Sequence, residues 1–250
     1  MTAGPTPRPI PLPPEELRNV GEGDFEQIGN VLVSLLVSAG GLRPDCRVLD
    51  MGCGIGRVAI PLTRYLTPSA AYEGFDVVPS SIDWCREHIT SVYPNFRFTL
   101  LDIKNSHYNP NGKTPPEAVR FPYGDAAFEF AFATSLFTHL LRPAAHRYLQ
   151  EAARVLGSGG TLYATFFLLN EDVSGRIGSG ETHLSFPSDL DGCLVASTEV
   201  PEAAVAYDED ALMREFAVAG FEVRRLMPGW WSGRAKKSGR FQDIVVATKT

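Results

Sequence analysis

The sequence of 250 residues has few cysteines and no cysteine motif. Its four cysteines are Cys46, Cys53, Cys85 and Cys193. They include no Cys-x-x-Cys spacing and no close pair, so neither a disulfide framework nor a zinc site is indicated. We interpret them as reduced thiols, which are typical of a cytoplasmic protein.

Long apolar runs are also missing. No stretch approaches the roughly 20 apolar residues that are needed to span a bilayer. The first residues, "MTAGPTPRPIPLPPEELRNV", have no apolar core of the kind found in a secretory signal. Their prolines predict an extended, proline-rich arm over residues 1–14. We therefore expect a protein that does not act at a membrane.

Positive charge is not in excess. The chain has 23 Lys and Arg against 29 Asp and Glu, a formal net charge of -6. Affinity for nucleic acids comes from clustered Lys and Arg, so this balance argues against a nucleic-acid partner. The 44% of hydrophobic residues is enough for one large α/β core, and we predict a single domain over residues 15–250.

Apolar strands alternate with amphipathic stretches along most of the chain. The pattern predicts strands near 46–51, 71–76, 96–101, 128–134 and 160–168, and helices near 56–66, 80–92, 143–156 and 208–219. Continuous apolar strands such as "FEFAFAT" indicate a parallel sheet that is covered on both faces. Near the C-terminus, "GFEVRRLMPGWW" and "FQDIVVATKT" have no helix between them and should pair antiparallel.

Two long segments interrupt this regular plan. They are a first insertion at about 103–120 and a second insertion at about 170–205. Long irregular segments of compact domains are more often binding loops or lids than filler. We expect the two insertions to form a lid over the acceptor site, together with an N-terminal cap around "NVGEGDFEQIG".

A glycine cluster stands at the end of the first predicted strand, in "VLDMGCGIGRVAI". Its spacing, Gly52-x-Gly54-x-Gly56, is neither the G-x-G-x-x-G of dinucleotide enzymes nor a phosphate-binding P-loop. Asp50 lies immediately before the cluster and would repel a pyrophosphate. The combination favours a ligand that carries an ammonium or sulfonium group, although each glycine taken singly could be a plain turn.

Two further carboxylates follow the second and third predicted strands. Asp76 ends "YEGFD" and Asp102 ends "LLD". Open α/β sheets bind ligands at the carboxyl edge of their strands, where these acids and Asp50 should lie together. An acid after the second strand can hold ribose hydroxyls, and one after the third can accept from an adenine amino group.

On these motifs, and on "RVLGSGGTLYAT", the chain resembles the class I S-adenosylmethionine-dependent methyltransferases over roughly residues 25–250. The resemblance implies a Rossmann-like α/β sheet of seven strands, mostly parallel with an antiparallel last strand and helices on both faces. It also implies S-adenosyl-L-methionine as cofactor and S-adenosyl-L-homocysteine as product. Asp50 would lie beneath the glycine loop and hold it through backbone N–H groups or water. The residues that it implies at the cofactor are Asp50, Gly52, Cys53, Gly54, Gly56, Asp76, Val77, Asp102, Ile103 and Thr134.

His139 is the candidate catalytic base. It follows the fourth predicted strand in "FATSLFTHLLRPAAHRYL", where the resemblance places the methyl group. An imidazole titrates near neutral pH and can take the proton of a hydroxyl acceptor. The alternative is that His139 only caps or packs against the following helix. A base favours O-methylation, since a neutral amine acceptor often needs none.

Several other side chains are candidates for the acceptor site. An acid above the site could bind an acceptor hydroxyl, assist the base or hold a divalent cation such as Mg²⁺, and a tryptophan could form a platform for a sugar face. Each has a structural alternative: solvated loop acids, a core tryptophan beside a hairpin, or a solvated edge strand. The candidates are Phe137, Glu199, Glu202, Trp230, Trp231 and Gln242.

These features together predict methyl transfer to a hydroxyl of a small molecule or oligosaccharide. The chain is similar to small bacterial methyltransferases of glycan pathways, among them those that methylate mannose units of actinobacterial polysaccharides. The alternatives are an O- or N-methyltransferase of a secondary metabolite, a non-catalytic cofactor-binding subunit, and an NAD-dependent oxidoreductase. The sequence leaves open the metal dependence, the role of the arm and the subunit number, a homodimer included.

Overall fold

The computed structural model describes residues 9–18, 23–236 and 240–250. The strands are β1 (Arg47–Met51), β2 (Ala71–Asp76), β3 (Phe96–Leu100), β4 (Phe128–Ala133), β5 (Leu156–Phe166), β6 (Leu168–Leu169), β7 (Ser188–Leu190), β8 (Cys193–Val195), β9 (Val205–Asp208), β10 (Phe221–Met227) and β11 (Asp243–Lys249). The helices are α1 (Phe25–Ser38), α2 (Ala59–Leu62), α3 (Pro79–Cys85), α4 (Arg142–Val155), α5 (Glu171–Gly178) and α6 (Glu209–Val218).

The main sheet has seven strands in the order β10-β11-β5-β4-β1-β2-β3. Strands β3, β2, β1, β4 and β5 pair parallel, while β11 runs antiparallel to both β5 and β10. The predicted fold class is therefore confirmed, including the antiparallel pairing at the C-terminus.

Alternate residues of the central strands pack on opposite faces of the sheet, as the pleat requires. Leu49 and Ala131 belong to one hydrophobic cluster, which includes residues of α4 and α6. Val48 and Phe130 belong to the other, which includes residues of α1, α2 and α3. The central strands are buried on both sides, which explains why they read as continuous apolar runs.

Two predicted helices are shorter than expected. The helix predicted near 56–66 is reduced to α2, because Gly54 and Gly56 have positive φ values of 53° and 78°, and Pro61 cannot donate a backbone N–H. The helix predicted near 80–92 ends as α3 and continues in a π-helical turn over Arg86–Thr90.

The second insertion is regular, contrary to the expectation from sequence. It contains α5 and the two strands β7 and β8 of a small four-stranded sheet of order β6-β9-β8-β7. The Asn170 side chain accepts from Val173 N (3.1 Å) and starts α5. Phe167, Phe186 and Trp231 pack under this sheet and form a third hydrophobic cluster.

At the N-terminus, residues 1–8 of the predicted arm and residues 19–22 of the predicted cap lie outside the described residues. Residues Glu15–Leu17 form a 3₁₀ turn, and Ile10 packs against the cluster beneath α1. Helix α1 begins at Asp24, whose side chain accepts from Gln27 N (2.6 Å). These contacts hold the described part of the N-terminal segment against the body of the protein.

Candidate active site

A cavity of about 740 Å³ lies at the carboxyl edge of the parallel strands. Its wall combines the glycine loop, the end of β2, the segment after β4, the first insertion, α1 and the start of β11. The predicted cofactor residues on this wall are Asp50, Gly52, Cys53, Gly54, Asp76, Val77, Ile103 and Thr134. Most of the residues predicted from the glycine loop and the strand ends are thus brought together.

The glycine loop turns sharply over the end of β1. Gly52 and Gly54 line the cavity with φ values of 76° and 53°, a region that side chains disfavour. A Cβ on Gly52 would lie 3.2 Å from the Leu136 side chain. Gly56 does not line the cavity formed by the described residues, because it faces the end of α3 and the π-helical turn after it: a Cβ there would lie 3.1 Å from Cys85 Sγ and 2.8 Å from Ile89. Gly56 therefore permits packing and not ligand contact.

The Asp76 carboxylate organises the loop from the end of β2. Its Oδ2 accepts from Gly54 N (2.8 Å), and its Oδ1 accepts from Val77 N (2.7 Å) and Val78 N (3.0 Å). Burial raises the pKa of Asp76, and these N–H groups oppose that shift by stabilising the charged form. Oδ1 already accepts two hydrogen bonds, whereas Oδ2 keeps a lone pair for a further donor, so Asp76 can hold the loop and a ligand hydroxyl together.

Asp50 lies deeper in the same wall and is 1% exposed. Its Oδ2 accepts from the Tyr72 hydroxyl (2.5 Å), while its Oδ1 has no hydrogen-bond partner among the described residues. Burial raises the pKa of Asp50 to about 8, and the negative charge of Asp76 adds to the shift. The expected contacts from Asp50 to backbone N–H groups are wrong: the side chain bonds Tyr72 and leaves one oxygen for a donor in the cavity.

At the start of the first insertion, the side chains of two adjacent residues that were predicted to contact adenine point in different directions. Ile103 is buried and lines the cavity. Asp102 is exposed, lies two residues beyond the end of β3, and accepts from Lys113 N (3.3 Å). Successive side chains of extended chain point to opposite sides, so only Ile103 faces the described cavity. The predicted contact of Asp102 with the cofactor is not supported by this placement.

His139 lines the cavity in a short turn after β4. Its Nδ1 lies 2.9 Å from the Glu202 carbonyl oxygen, which can only accept, so Nδ1 carries the hydrogen. Its Nε2 is left as the acceptor and lies 3.5 Å from the Tyr108 hydroxyl. Burial lowers the pKa of His139, and nearby His107 lowers it further. The imidazole is therefore neutral near pH 7, with a lone pair available on Nε2.

The two insertions meet at His139. The buried Glu202 carboxylate accepts from Ser106 N of the first insertion, and the Glu202 carbonyl holds the imidazole. Asn105 donates to the His139 carbonyl oxygen (3.1 Å) and accepts from Tyr108 N (2.9 Å). Glu202 does not line the cavity among the described residues: its carboxylate, which was predicted to contact the acceptor, accepts from Ser106 N instead.

Glu202→Ala is expected to loosen the first insertion without disturbing the glycine loop. A buried acceptor for Ser106 N is lost, which costs about 1–3 kcal/mol and should speed amide exchange over residues 103–109 roughly tenfold or more. Hydrogen–deuterium exchange measures this directly. Glu199→Ala is the matched control, because Glu199 is exposed and off the cavity wall, contrary to its predicted contact with the acceptor. Equal exchange in both variants would contradict the assignment.

A polar network lies beside His139 where β4, β5 and β11 meet. Ser135 has a φ of 61°, unusual for a residue other than glycine, and its N–H donates to Thr165 Oγ1 (2.7 Å). The Thr165 and Ser135 hydroxyls both donate to Gln242 Oε1 (2.7 and 3.0 Å). The Gln242 amide nitrogen is left as a donor, with Thr138 at 3.4 Å. Ser135, Thr165 and Gln242 all line the cavity.

The adjacent tryptophans point in different directions. Trp230 lines the cavity and packs edge to face against His183, with ring centroids 4.6 Å apart. Trp231 is fully buried, and its Nε1 donates to Asp243 (2.7 Å). Phe137 is fully buried as well. The predicted acceptor contacts of Trp231 and Phe137 are therefore wrong, because both side chains pack in the core.

The part of the chain that the structure describes has neither a cluster of metal-binding side chains nor a membrane-spanning helix. Within it, no three His, Cys, Asp or Glu side chains are grouped so that they could hold a metal ion. No helix within it is long and apolar enough to cross a membrane.

Comparison with known families identifies the segment that carries the glycine loop. Residues 49–164 match the family described as a methyltransferase domain. The match spans less than half of this chain, so the segment with the glycine loop is similar to a methyltransferase domain. A methyltransferase from Streptomyces halstedii, GfsG, is 30% identical over 156 residues, which cover 62% of this chain. The match spans only 46% of GfsG, so this chain corresponds to about half of that relative's length.

Solved structures share the fold of the methyltransferase domain at low identity. The 1,6-didemethyltoxoflavin-N1-methyltransferase of Burkholderia thailandensis, solved with S-adenosylhomocysteine, is 17% identical, with a TM-score of 0.57. The match covers 90% of this chain and 79% of that one. The [4+2]-cyclase SpnF is 18% identical, with a TM-score of 0.60, and the match covers 92% and 85% of the two chains. Since a cyclase shares the architecture, the reaction must be argued from the site.

Proposed function

We propose that this chain is an S-adenosylmethionine-dependent methyltransferase that acts on a hydroxyl group of a small acceptor. The observation that carries the proposal is the unpartnered, buried Asp50 Oδ1 beside a glycine loop that Asp76 holds open to the cavity. A buried carboxylate oxygen without a partner is costly unless a donor or a cation meets it. A ligand with an ammonium or sulfonium group meets that requirement, whereas a pyrophosphate does not.

The residues on the wall fit S-adenosylmethionine from one end to the other. Asp50 and the glycine loop would hold the methionine part, Asp76 and Val77 would hold the ribose, and Ile103 would cover the adenine. The cofactor supplies a methyl group that is already activated by its bond to a sulfonium sulfur. The protein's remaining tasks are to orient the acceptor, exclude water and remove one proton.

The side chains beside His139 fit a hydroxyl acceptor. The free N–H of Gln242 can donate to the acceptor oxygen, and His139 Nε2 can accept the hydroxyl proton as the new O–C bond forms. Trp230 offers an aromatic face on the same cavity. This set of polar groups and one half-buried ring suits a sugar or oligosaccharide, and a mannoside is the acceptor that we propose to test first.

An N- or O-methyltransferase of a secondary metabolite is the second candidate. The relative from Burkholderia, whose name specifies methylation at a nitrogen, favours it. A protein that binds the cofactor without transferring the methyl group is a further alternative, because SpnF shares the fold and is named a cyclase.

The proposal is tested in two steps. First, titration calorimetry should show that S-adenosylhomocysteine binds and that NAD does not. Second, a library of sugars, phenols and amines is incubated with methyl-labelled S-adenosylmethionine, with and without a chelator, and products are located by mass spectrometry. We expect a methyl group on oxygen. A methyl group on nitrogen would refute the hydroxyl acceptor, and binding of NAD in place of the nucleoside would refute the whole proposal.

A further inference from the structure

Two polar groups on the cavity wall have no hydrogen-bond partner among the described residues. Tyr163 of β5 is fully buried, and its hydroxyl forms no hydrogen bond among the described residues. The buried Nε of Arg240, three residues before β11, is also unpartnered within the described ranges. Both residues line the cavity.

Both groups line the same cavity, and the charge of Arg240 acts on the Tyr163 phenol. Burial raises the pKa of Tyr163, and the positive charge of Arg240 lowers it, so the guanidinium is within Coulombic range of the phenol. Burial dominates, so the phenol keeps its proton and remains a donor. A phenol O–H and a guanidinium are both donors, and together they present hydrogens and positive charge to the cavity.

The carboxylates near Arg240 form ion pairs with Arg234, and among the described residues none pairs with Arg240. Arg234 pairs with Glu209 (3.0 Å) and Asp243 (2.9 Å). Arg240 lies only three residues from Asp243, yet it forms no ion pair with any carboxylate of the described residues. A partly buried cation without an anion is destabilising, and a bound anion would remove that cost.

Tyr163 lies far from the end of the cavity that Asp76 marks, and Arg240 precedes the more distant strand β11. In the sheet order, β5 is three strands from β2, and β11 is four strands from it. At about 4.8 Å a strand, these separations are roughly 14 and 19 Å. Gln242 lies two residues from Arg240 and Thr165 lies two residues from Tyr163, and both line the cavity. Gln242 is the proposed donor to the acceptor oxygen.

We propose that Tyr163 and Arg240 form a subsite for an anionic oxygen group of the acceptor, a carboxylate or a phosphate. The proposal rests on the proposed function, because it names the class of acceptor for that site. The acceptor is then a hydroxylated molecule that also carries a negative charge, such as an acidic or phosphorylated sugar. The net charge of -6 makes the protein as a whole unattractive to anions, so binding must come from this local pair.

The experiment uses inorganic phosphate as the probe in the presence of saturating S-adenosylhomocysteine. Thermal unfolding is followed against phosphate concentration at constant ionic strength for the wild type, Arg240→Gln, Tyr163→Phe and the control Arg225→Gln. Arg225 is exposed on β10, so its replacement makes the same charge change away from the cavity. We expect saturable stabilisation of the wild type and the control, and roughly ten- to hundredfold weaker phosphate binding in Arg240→Gln. Identical phosphate dependence in all four proteins would overturn the subsite.

A second arm identifies the source of the anion. The affinities of S-adenosylhomocysteine and of 5′-methylthioadenosine, which lacks the amino-acid carboxylate, are measured for the wild type and Arg240→Gln. We expect both affinities to be unchanged by the substitution. If only S-adenosylhomocysteine binds more weakly, the anion is the cofactor's own carboxylate and the acceptor subsite is refuted. If the wild type binds neither nucleoside, the proposed function fails, whatever the phosphate titration shows.

Discussion

His139→Ala is expected to lower kcat/KM for methyl transfer about 10²- to 10⁴-fold at neutral pH, the usual contribution of a positioned general base. The structure leaves Nε2 of a neutral imidazole as an acceptor on the cavity wall, because Nδ1 donates to the Glu202 carbonyl. The measurement is the initial rate of methyl transfer to the acceptor from the library screen. The affinity for S-adenosylhomocysteine should stay within about twofold, since His139 is not placed at the cofactor.

The pH profile gives an independent check on the same residue. A base must be neutral to act, and burial lowers the pKa of His139 below its usual value of 6.5. The wild-type rate should therefore be constant through neutral pH and fall only in more acidic solution, with a midpoint below 6.5. His146→Ala is the control: His146 lies on α4 beside Gln150 and off the cavity, and its loss should leave the profile unchanged. Full activity of His139→Ala near pH 7 would show that His139 is not the base.

Asp76→Ala is expected to weaken S-adenosylhomocysteine binding more than about a hundredfold. The change removes the acceptor for three backbone N–H groups, of Gly54, Val77 and Val78, together with any contact to the ligand. Hydrogen bonds to a charged group contribute about 1.5–3 kcal/mol each, so the loss of two of them already exceeds this factor. Calorimetric titration with S-adenosylhomocysteine measures the effect.

Asp102→Ala provides the matched comparison for Asp76→Ala. Both acids follow a parallel strand, but Asp102 is exposed and lies off the wall of the described cavity. We expect its removal to change the affinity less than about threefold, the size typical of an exposed position. Asp76→Asn, which keeps one acceptor oxygen, should fall between the two and guards against simple misfolding of the alanine variant. An equal loss in Asp102→Ala and Asp76→Ala would contradict the placement of both residues.

The central part of the fold could be predicted because its signals are local. Strands β1 to β4 read as apolar runs of the correct length, and the glycines of "GCGIG" mark a bend that only small residues tolerate. Asp50 and Asp76 were located because a strand end and its following loop are adjacent in sequence. Within the second insertion, the same approach missed α5 and the small sheet, since short strands that pair with distant partners have weak local patterns.

The failures at the site share one physical cause, the direction of a side chain. Asp102 and Ile103 are neighbours, as are Trp230 and Trp231, yet one member of each pair lines the cavity and the other does not. Glycine position alone likewise could not show that Gly56 faces Ile89. Sequence spacing locates a residue along an element, but the packing around the element decides which way its side chain points.

The amino-acid sequence alone determined a mostly parallel sheet, a glycine bend that could bind a cationic nucleoside, and the position of the His139 imidazole after the fourth strand. Each of these depends on residues that are adjacent in the chain. Only the tertiary structure decided how the site is assembled. Pairing of β11 with β5 places Gln242 beside Thr165, and contact between the two insertions sets Glu202 against His139. Such contacts join residues from 63 to 77 positions apart, and their free energy arises only when the folded chain closes those loops.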